Sequence, residues 1–241
     1  MTDAMLFAGI FLKNPAMLGS VWPSSDRLCS HLIGLADWNE ARHVVEYGPG
    51  VGTITRHILG QLRSDGTLIA IEKNPELVEH LRERFRCGDP RLKIVHGSAA
   101  DVRKILIHHR IATADCVVAG IPFSLLPPRE VRRILWRTRQ SLSPRGRLLV
   151  YQFSDAIEPV LKRYFQLLHS GRVMQNFLPA RTYVAVTPEG GIRYPKRLRP
   201  PRAHHSLSAL RILMSDSKPN SRAYYQSSLT AKRFHLRLCN T

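Results

Sequence analysis

The sequence has few cysteines, few acidic residues and no long apolar run. No Cys-x-x-Cys pair occurs among its four cysteines, Cys29, Cys87, Cys116 and Cys239. This spacing argues against a zinc site or a disulfide framework, and we expect no bound metal. There is no run of about 18 apolar residues to form a membrane-spanning helix. Because Met1–Pro15 carries Asp3 and lacks a basic start, it does not resemble a secretory signal, and we expect a cytoplasmic protein.

The scarcity of acidic residues leaves a large excess of positive charge. Lys and Arg total 36 against 18 for Asp and Glu, a formal net charge of +18. Such an excess favours an anionic partner, either an acidic membrane surface or nucleic acid. Residues 190–241 hold 11 basic residues and a single acid, Asp216. We interpret 190–241 as a basic, flexible tail; a solvated extension without function is the alternative.

Residues 25–189 alternate short β-rich runs with helical patterns. The predicted strands are His43–Tyr47, Thr67–Glu72, Leu92–His96, Ala114–Ala119 and Arg147–Phe153. The predicted helices are Thr53–Arg63, Pro75–Phe85, Ala99–Ile107 and Arg129–Leu142. Alternation of this kind is typical of an α/β domain, in which helices cover both faces of a parallel sheet.

The end of this region departs from the alternation. Two β-rich runs, Gly171–Phe177 and Arg181–Val186, are separated only by Leu178-Pro179-Ala180. A connection this short joins antiparallel strands, so we expect a hairpin at the sheet edge. The prediction is a seven-stranded, mostly parallel sheet with an antiparallel edge hairpin, preceded by an amphipathic helix within residues 1–24.

A glycine-rich turn lies between the first predicted strand and its helix. The pattern is Glu46-x-Gly48-x-Gly50-x-Gly52, and glycine lets the backbone turn sharply and approach a ligand closely. A nucleoside with an amino-acid arm fits at this end of the sheet. Glu46 is a candidate acceptor for the ammonium of that arm. Glu72, which ends the next strand, is a candidate acceptor for the ribose hydroxyls.

A dinucleotide signature would require glycine where this chain has Thr53. A nucleotide-binding or structural Rossmann domain is the alternative. Two later turns follow the third and fourth predicted strands and fit the same site: Gly97-Ser98-Ala99 and Gly120-Ile121-Pro122-Phe123. Ser98 is equally suited to capping a helix, and Phe123 to ordinary core packing.

These features together resemble the class I S-adenosylmethionine-dependent methyltransferases, which have a Rossmann-like fold. More narrowly, the chain resembles the bacterial phospholipid N-methyltransferases, relatives of the rRNA adenine dimethyltransferases. The narrower likeness rests on Phe11-Leu12-Lys13-Asn14-Pro15, Gly19, Trp22-Pro23-Ser24-Ser25, the glycine turn, Gly97-Ser98-Ala99, Gly120-Ile121-Pro122 and Leu178-Pro179-Ala180-Arg181. The resemblance covers about residues 5 to 187, and the basic tail has no counterpart in it.

The resemblance implies S-adenosyl-L-methionine as cofactor and the amine of phosphatidylethanolamine, or of its partly methylated forms, as acceptor. It places Gly97-Ser98-Ala99 beside the adenine of the cofactor and Gly120 at the point of methyl transfer, with Ile121, Pro122 and Phe123 near the acceptor. It also places the N-terminal helix on the inner face of the membrane, with anionic lipid as partner. Ser24 and Ser25 are candidates for binding the lipid phosphate, although Ser25 is equally suited to capping the next helix. A helix packed on the core is the alternative for residues 5–13.

The general base and the acceptor class stay open at this stage. Tyr47, His96 and Asp101 are the candidate bases for taking a proton from the amine. Adenine N6 methylation is the runner-up, with nucleic acid as partner, but the turn that usually holds the exocyclic amine begins with Asn or Asp, and this chain has Gly120. A cofactor-binding protein without turnover is the third reading.

Overall fold

The computed structural model describes residues 26–174 and 179–188, in which strands and helices alternate. The helices are α1 (Asp26–Gly34), α2 (Thr53–Gln61), α3 (Pro75–Arg84), α4 (Val102–His108), α5 (Pro128–Ser141) and α6 (Glu158–Leu161). The strands are β1 (His43–Tyr47), β2 (Thr67–Glu72), β3 (Leu92–His96), β4 (Ala114–Ala119), β5 (Leu142–Gln152), β6 (Gln166–Val173) and β7 (Ala180–Val186). The predicted N-terminal helix, Ser24, Ser25 and the basic tail lie outside the described residues.

The seven strands form one sheet in the order β3-β2-β1-β4-β5-β7-β6. β1 to β5 are parallel, and β7 pairs antiparallel with both β5 and β6. The predicted α/β class, the mostly parallel sheet and the antiparallel edge hairpin are therefore confirmed. The bounds of β1 to β4 are the predicted ones.

The predicted bounds of β5 and β6 were wrong, chiefly at their starts, and β7 begins one residue earlier than predicted. β5 begins at Leu142, directly after α5. The strand extends this far because its register with β4 shifts between Ala114 and Cys116, and this irregularity accommodates Pro144 and Gly146. A Cβ on Gly146 would lie 2.9 Å from the Ala114 carbonyl oxygen, so the close approach needs glycine. β6 begins at Gln166 because an edge strand tolerates exposed polar residues that a search for apolar runs misses.

Helices cover both faces of the sheet. On one face α1 and α2 pack on the strands through a cluster that includes Leu32, Ile58, Val44 and Leu149. On the other face the buried Tyr47 hydroxyl shares a hydrogen bond of 3.0 Å with Thr138 of α5. With both faces covered, the carboxyl ends of the parallel strands are the edge at which ligands reach an open sheet.

Within the described part of the chain, no helix has the length and apolar character needed to cross a membrane.

Candidate active site

A cleft of about 400 Å³ lies at the carboxyl ends of β1, β2, β3 and β4. Its lining includes Gly48, Gly50, Ile71, Glu72, Lys73, Gly97, Ser98, Ala99, Gly120, Ile121, Pro122, Leu125, Leu126 and Glu130. The lining contains every predicted cofactor residue except Glu46. Residues from four separate turns thus meet at one place, as their positions after successive parallel strands predict.

Packing within the protein is one reason why the turn after β1 requires glycines. Gly48, Gly50 and Gly52 have φ of 68°, 59° and 84°, in the left-handed region that favours glycine. A Cβ on Gly48 would lie 2.8 Å from Cγ2 of Ile121, and one on Gly52 would lie 2.7 Å from Cε2 of Phe85. These glycines therefore let the turn pack against the β4 turn and α3, besides leaving room for a ligand.

Glu72 is held at the floor of the cleft by backbone N–H groups. Its Oε1 accepts hydrogen bonds from the amides of Lys73 and Asn74 at 2.8 and 2.9 Å, and its Oε2 accepts one from Gly50 at 3.2 Å. The side chain is 7 % exposed, and this burial raises the pKa of its carboxyl while the N–H donors oppose the rise. Among the described residues Oε2 accepts a hydrogen bond from Gly50 alone, so a lone pair remains for a ribose hydroxyl. This arrangement fits the role predicted for Glu72.

Glu46 lies behind the glycine turn and outside the cleft lining. It is 2 % exposed, and the Thr55 hydroxyl donates to its Oε2 at 2.7 Å. Burial raises the pKa of the Glu46 carboxyl to about 8; the Thr55 hydrogen bond opposes this rise, and the charge of Glu72 adds to it. Contact between Glu46 and the ammonium of the cofactor stays a prediction.

Gln152, which was not among the residues predicted from the sequence, holds the turn after β4 in place. Its Nε2 donates to the carbonyl oxygens of Ile121 and Tyr151 at 2.7 and 2.6 Å, and its Oε1 accepts from the Phe123 N–H at 3.2 Å. The residue is 5 % exposed at the end of β5. The sequence signal that could have identified Gln152 is a polar amide at the end of an apolar predicted strand, because a buried amide needs hydrogen-bond partners.

The turn after β4 places some predicted acceptor residues at the cleft and one in the core. Ile121 and Pro122 line the cleft, whereas Phe123 is 3 % exposed and lies outside the lining, so core packing accounts for it. A Cβ on Gly120 would lie 2.7 Å from the Tyr151 hydroxyl oxygen. Tyr151 therefore fills the space that an Asn or Asp side chain would need at position 120.

Ser98 caps a short helical turn, as one prediction for it states, and its contact with the cofactor stays a prediction. Its Oγ accepts a hydrogen bond of 3.2 Å from the Ala100 N–H and caps the 3-10 turn Ala99–Asp101, and the residue also lines the cleft.

None of the three candidate bases lines the cleft. Burial raises the pKa of the Tyr47 hydroxyl, which is bonded to Thr138 beneath the sheet. The His96 ring lies 3.2 Å from the Lys73 carbonyl oxygen, and Asp101 pairs with Arg133 at 3.1 Å. The ionisable residues that do line it, within the described ranges, are Glu72, Lys73 and Glu130, and the last two pair at 3.5 Å.

Comparison with known proteins agrees with this geometry. A family model described as a methyltransferase domain matches residues 44–146. The ornithine lipid N-methyltransferase of Singulisphaera acidiphila is 37 % identical over 147 residues, which span 61 % of this chain and 76 % of that protein. The ribosomal RNA small subunit methyltransferase A of Parasynechococcus marenigrum is 30 % identical over 132 residues, 55 % of this chain and 42 % of that protein. The match to the rRNA enzyme thus covers less than half of its length.

Solved structures share the fold. TrmN from Thermus thermophilus aligns with a TM-score of 0.53 and 19 % identity, over 67 % of this chain and 48 % of that one. The glycopeptide N-methyltransferase MtfA, complexed with S-adenosylmethionine, aligns with a TM-score of 0.52 and 13 % identity, over 66 % and 92 %. The fold and the cleft define an α/β enzyme of the Rossmann-like type. The chain belongs to the class I S-adenosylmethionine-dependent methyltransferases, with S-adenosyl-L-methionine as its cofactor, and within that class it resembles the bacterial lipid N-methyltransferases.

Proposed function

We propose that this protein methylates the amine of phosphatidylethanolamine or of its partly methylated forms. The observation that carries the proposal is the turn after β4, where Tyr151 fills the space beside Gly120 and leaves no room for an amide that would hold an adenine. The match to a lipid N-methyltransferase over 76 % of that enzyme's length supports a lipid amine as acceptor.

The described residues fit the cofactor, whose sulfonium supplies the methyl group when it is bound. Gly48 and Gly50 leave the backbone exposed to it, Glu72 retains a lone pair for a ribose hydroxyl, and Gly97 and Ser98 border the remaining cleft. A Cβ on Gly97 would meet its nearest neighbour, Ile105, at 3.6 Å, an ordinary contact. Packing within the protein thus does not require glycine there, which fits a backbone that a ligand approaches.

The acceptor side of the cleft is apolar. Ile121, Pro122, Leu125 and Leu126 line it, and Gln152 fixes the first two by its bond to the Ile121 carbonyl. An ammonium buried among such groups loses hydration, so its pKa falls and the neutral amine needed for methyl transfer is favoured. These residues also exclude water and orient the nitrogen, and both effects lower the barrier to such a displacement.

Attachment to an anionic membrane surface is part of the proposal. The net charge of +18 supports it, as do the apolar residues Phe7, Ile10 and Phe11 in the sequence. Deleting residues 190–241 should weaken binding to anionic vesicles mainly at low salt. The double change Phe7→Asp, Phe11→Asp should abolish binding at every salt concentration. Co-sedimentation across a salt series measures both, and wild-type binding by the aspartate variant would exclude the N-terminal segment as the anchor.

The acceptor is tested with labelled cofactor and three substrates: phosphatidylethanolamine in anionic vesicles, an acyl ornithine, and unmodified small-subunit rRNA. We expect label in phosphatidylethanolamine. Label in the acyl ornithine alone would keep a lipid amine and replace the headgroup. Label in the rRNA alone would overturn the proposal, and cofactor binding without label in any substrate would indicate a protein without turnover.

A further inference from the structure

Two arginines face each other across the edge hairpin. Arg172 of β6 pairs directly with Arg181 of β7, so their side chains leave the same face of the sheet. Like charges at directly opposite positions destabilise a pair of strands. A hairpin that keeps them together therefore gains from a negative group that lies between or beside them.

Among the described residues, only one of the two arginines is paired with carboxylates. Arg181 pairs with Asp155 at 3.2 Å and also interacts electrostatically with Glu158. Arg172 is exposed and makes no ion pair within the part of the chain that the structure describes. Both arginines line a groove of about 370 Å³, together with Phe153, Ser154 and Asp155. In this groove Arg172 therefore has no carboxylate partner among the described residues, and the Ser154 hydroxyl is exposed.

The strand order places this groove beside the acceptor turn. At one edge of the sheet β4, β5 and β6 end and β7 begins, and this edge holds Gly120, Gln152, Arg172 and Arg181. Gln152 pairs directly with Arg181. Neighbouring strands lie about 4.8 Å apart, so Arg181 is about 10 Å from the acceptor turn along the edge. Gln152 contacts that turn directly through the Ile121 carbonyl.

We propose that Arg172 and Arg181 form a subsite for the anionic group of the methyl acceptor, an inference that rests on the proposed function. In phosphatidylethanolamine this group is the phosphate, two carbons from the amine. In an acyl ornithine it is the carboxylate, four carbons from the side-chain amine. A guanidinium binds either group with paired, charge-assisted hydrogen bonds. Asp155 competes with the ligand for Arg181, because it is already paired with that side chain and is largely exposed.

The test measures binding and turnover separately on the full chain. Binding is measured by calorimetry with phosphoethanolamine and with N-acetylornithine, in the presence of the demethylated cofactor. Arg172→Gln should weaken binding of at least one probe, and raise KM for the matching lipid, about tenfold, since one charge-assisted bond is lost. Arg172→Lys should retain most of the affinity. Asp155→Asn should change both quantities in the opposite direction by removing the competing carboxylate.

Arg163→Gln is the matched control. Arg163 is exposed and lies before β6, near the opposite edge of the sheet, so its loss removes the same charge without touching the groove. Equal losses in Arg163→Gln and Arg172→Gln would mean that overall charge is responsible and would overturn the subsite, as would wild-type binding and KM in Arg172→Gln. The probe that Arg172→Gln affects identifies the anion. If the wild type methylates no lipid but binds a probe through Arg172, the anion-binding subsite is supported and the proposed function is contradicted. If the wild type methylates a lipid and Arg172→Gln leaves that reaction unchanged, the proposed function is supported and the subsite is contradicted.

Discussion

The two halves of the cleft are built in different ways. The half that we assign to the cofactor consists of a contiguous motif, the glycine turn after β1, with Glu72 at the end of the adjacent strand, and backbone N–H groups hold that carboxylate. The half that we assign to the methyl acceptor consists of a turn after β4 that is held by Gln152 from β5 and confined by Tyr151. Farther along the same edge lie Arg181 and Arg172 of β7 and β6.

This difference separates a part of the site that serves a fixed ligand from a part that is open to change. Backbone donors and left-handed glycines tolerate few substitutions, because any side chain meets either neighbouring residues or the ligand. The acceptor half depends on side chains, which alter more readily without loss of the fold. Substitutions in the cofactor half should therefore affect stability and cofactor affinity, and those in the acceptor half mainly turnover.

The largest effect is expected at Gly48, which joins the two halves. Gly48→Ala places a Cβ 2.8 Å from Ile121 at a φ of 68°, so both backbone strain and overpacking result. The free energy of unfolding should fall by about 2–4 kcal/mol. Gly60→Ala is the control, because Gly60 lies in α2 with nothing within 4 Å of the new Cβ, and helix propensity predicts no loss or a gain below about 1 kcal/mol. Urea unfolding measures both; equal midpoints for the two variants would contradict the role of packing at Gly48.

A smaller effect is expected from Glu72→Ala. The change removes the acceptor for a ribose hydroxyl and leaves the amides of Gly50, Lys73 and Asn74 without their partner. Cofactor binding should weaken by about 1.5–3 kcal/mol in calorimetry, with some loss of stability. Glu79→Ala, at an exposed carboxylate on α3, should leave cofactor affinity unchanged. A folded Glu72→Ala protein with wild-type affinity would remove Glu72 from the cofactor site.

The buried Glu46 should make stability depend on pH. Its pKa is raised from 4.5 to about 8, so between these values the folded state holds the proton more tightly than the unfolded chain does. The free energy of unfolding therefore falls as the pH rises through this window. Glu46→Gln keeps an acceptor for Thr55 and cannot ionise. At about pH 8.5 the free energy of unfolding of this variant should exceed that of the wild type by at least about 1.4 kcal/mol, which corresponds to one pKa unit.

Denaturant unfolding of both proteins at about pH 5 and pH 8.5 isolates the contribution of Glu46, since all other groups are shared. The difference between the two proteins should be small at the lower pH and should grow with pH. A difference that stays constant across the range would show that Glu46 does not titrate inside the folded protein.

The smallest effect on stability, and the most selective effect on turnover, is expected at Gln152. Gln152→Leu preserves bulk in a buried position but removes the bonds to Ile121 and Phe123. We expect kcat to fall about tenfold, near 1.4 kcal/mol in the barrier, at unchanged cofactor Kd, because the turn that orients the amine loosens. Gln140→Leu, on the exposed surface of α5, is the control. A parallel fall in cofactor affinity would erase the distinction between the two halves.

The sequence by itself determined the α/β class, the bounds of β1 to β4 and which turns meet at the cleft. The reason is that each depends on residues close together in the chain. A buried parallel strand is a short apolar run, and the turn that follows it requires glycine wherever φ is positive. Gly48, Gly50, Glu72 and Gly97 were predicted together because each follows or ends a strand, and parallel strands bring those ends to one edge.

Only the tertiary structure decided the acceptor half and the environment of Glu46. Gln152 reaches Ile121 across 31 positions of sequence, and Arg172 meets Arg181 only in the register of the hairpin. Side chains alternate between the faces of a strand, so a shift of one residue in register would move Tyr151, Gln152 or Arg181 to the other face. That register is set by the packing of whole strands and by the bulge in β5, and no short segment of the sequence specifies it.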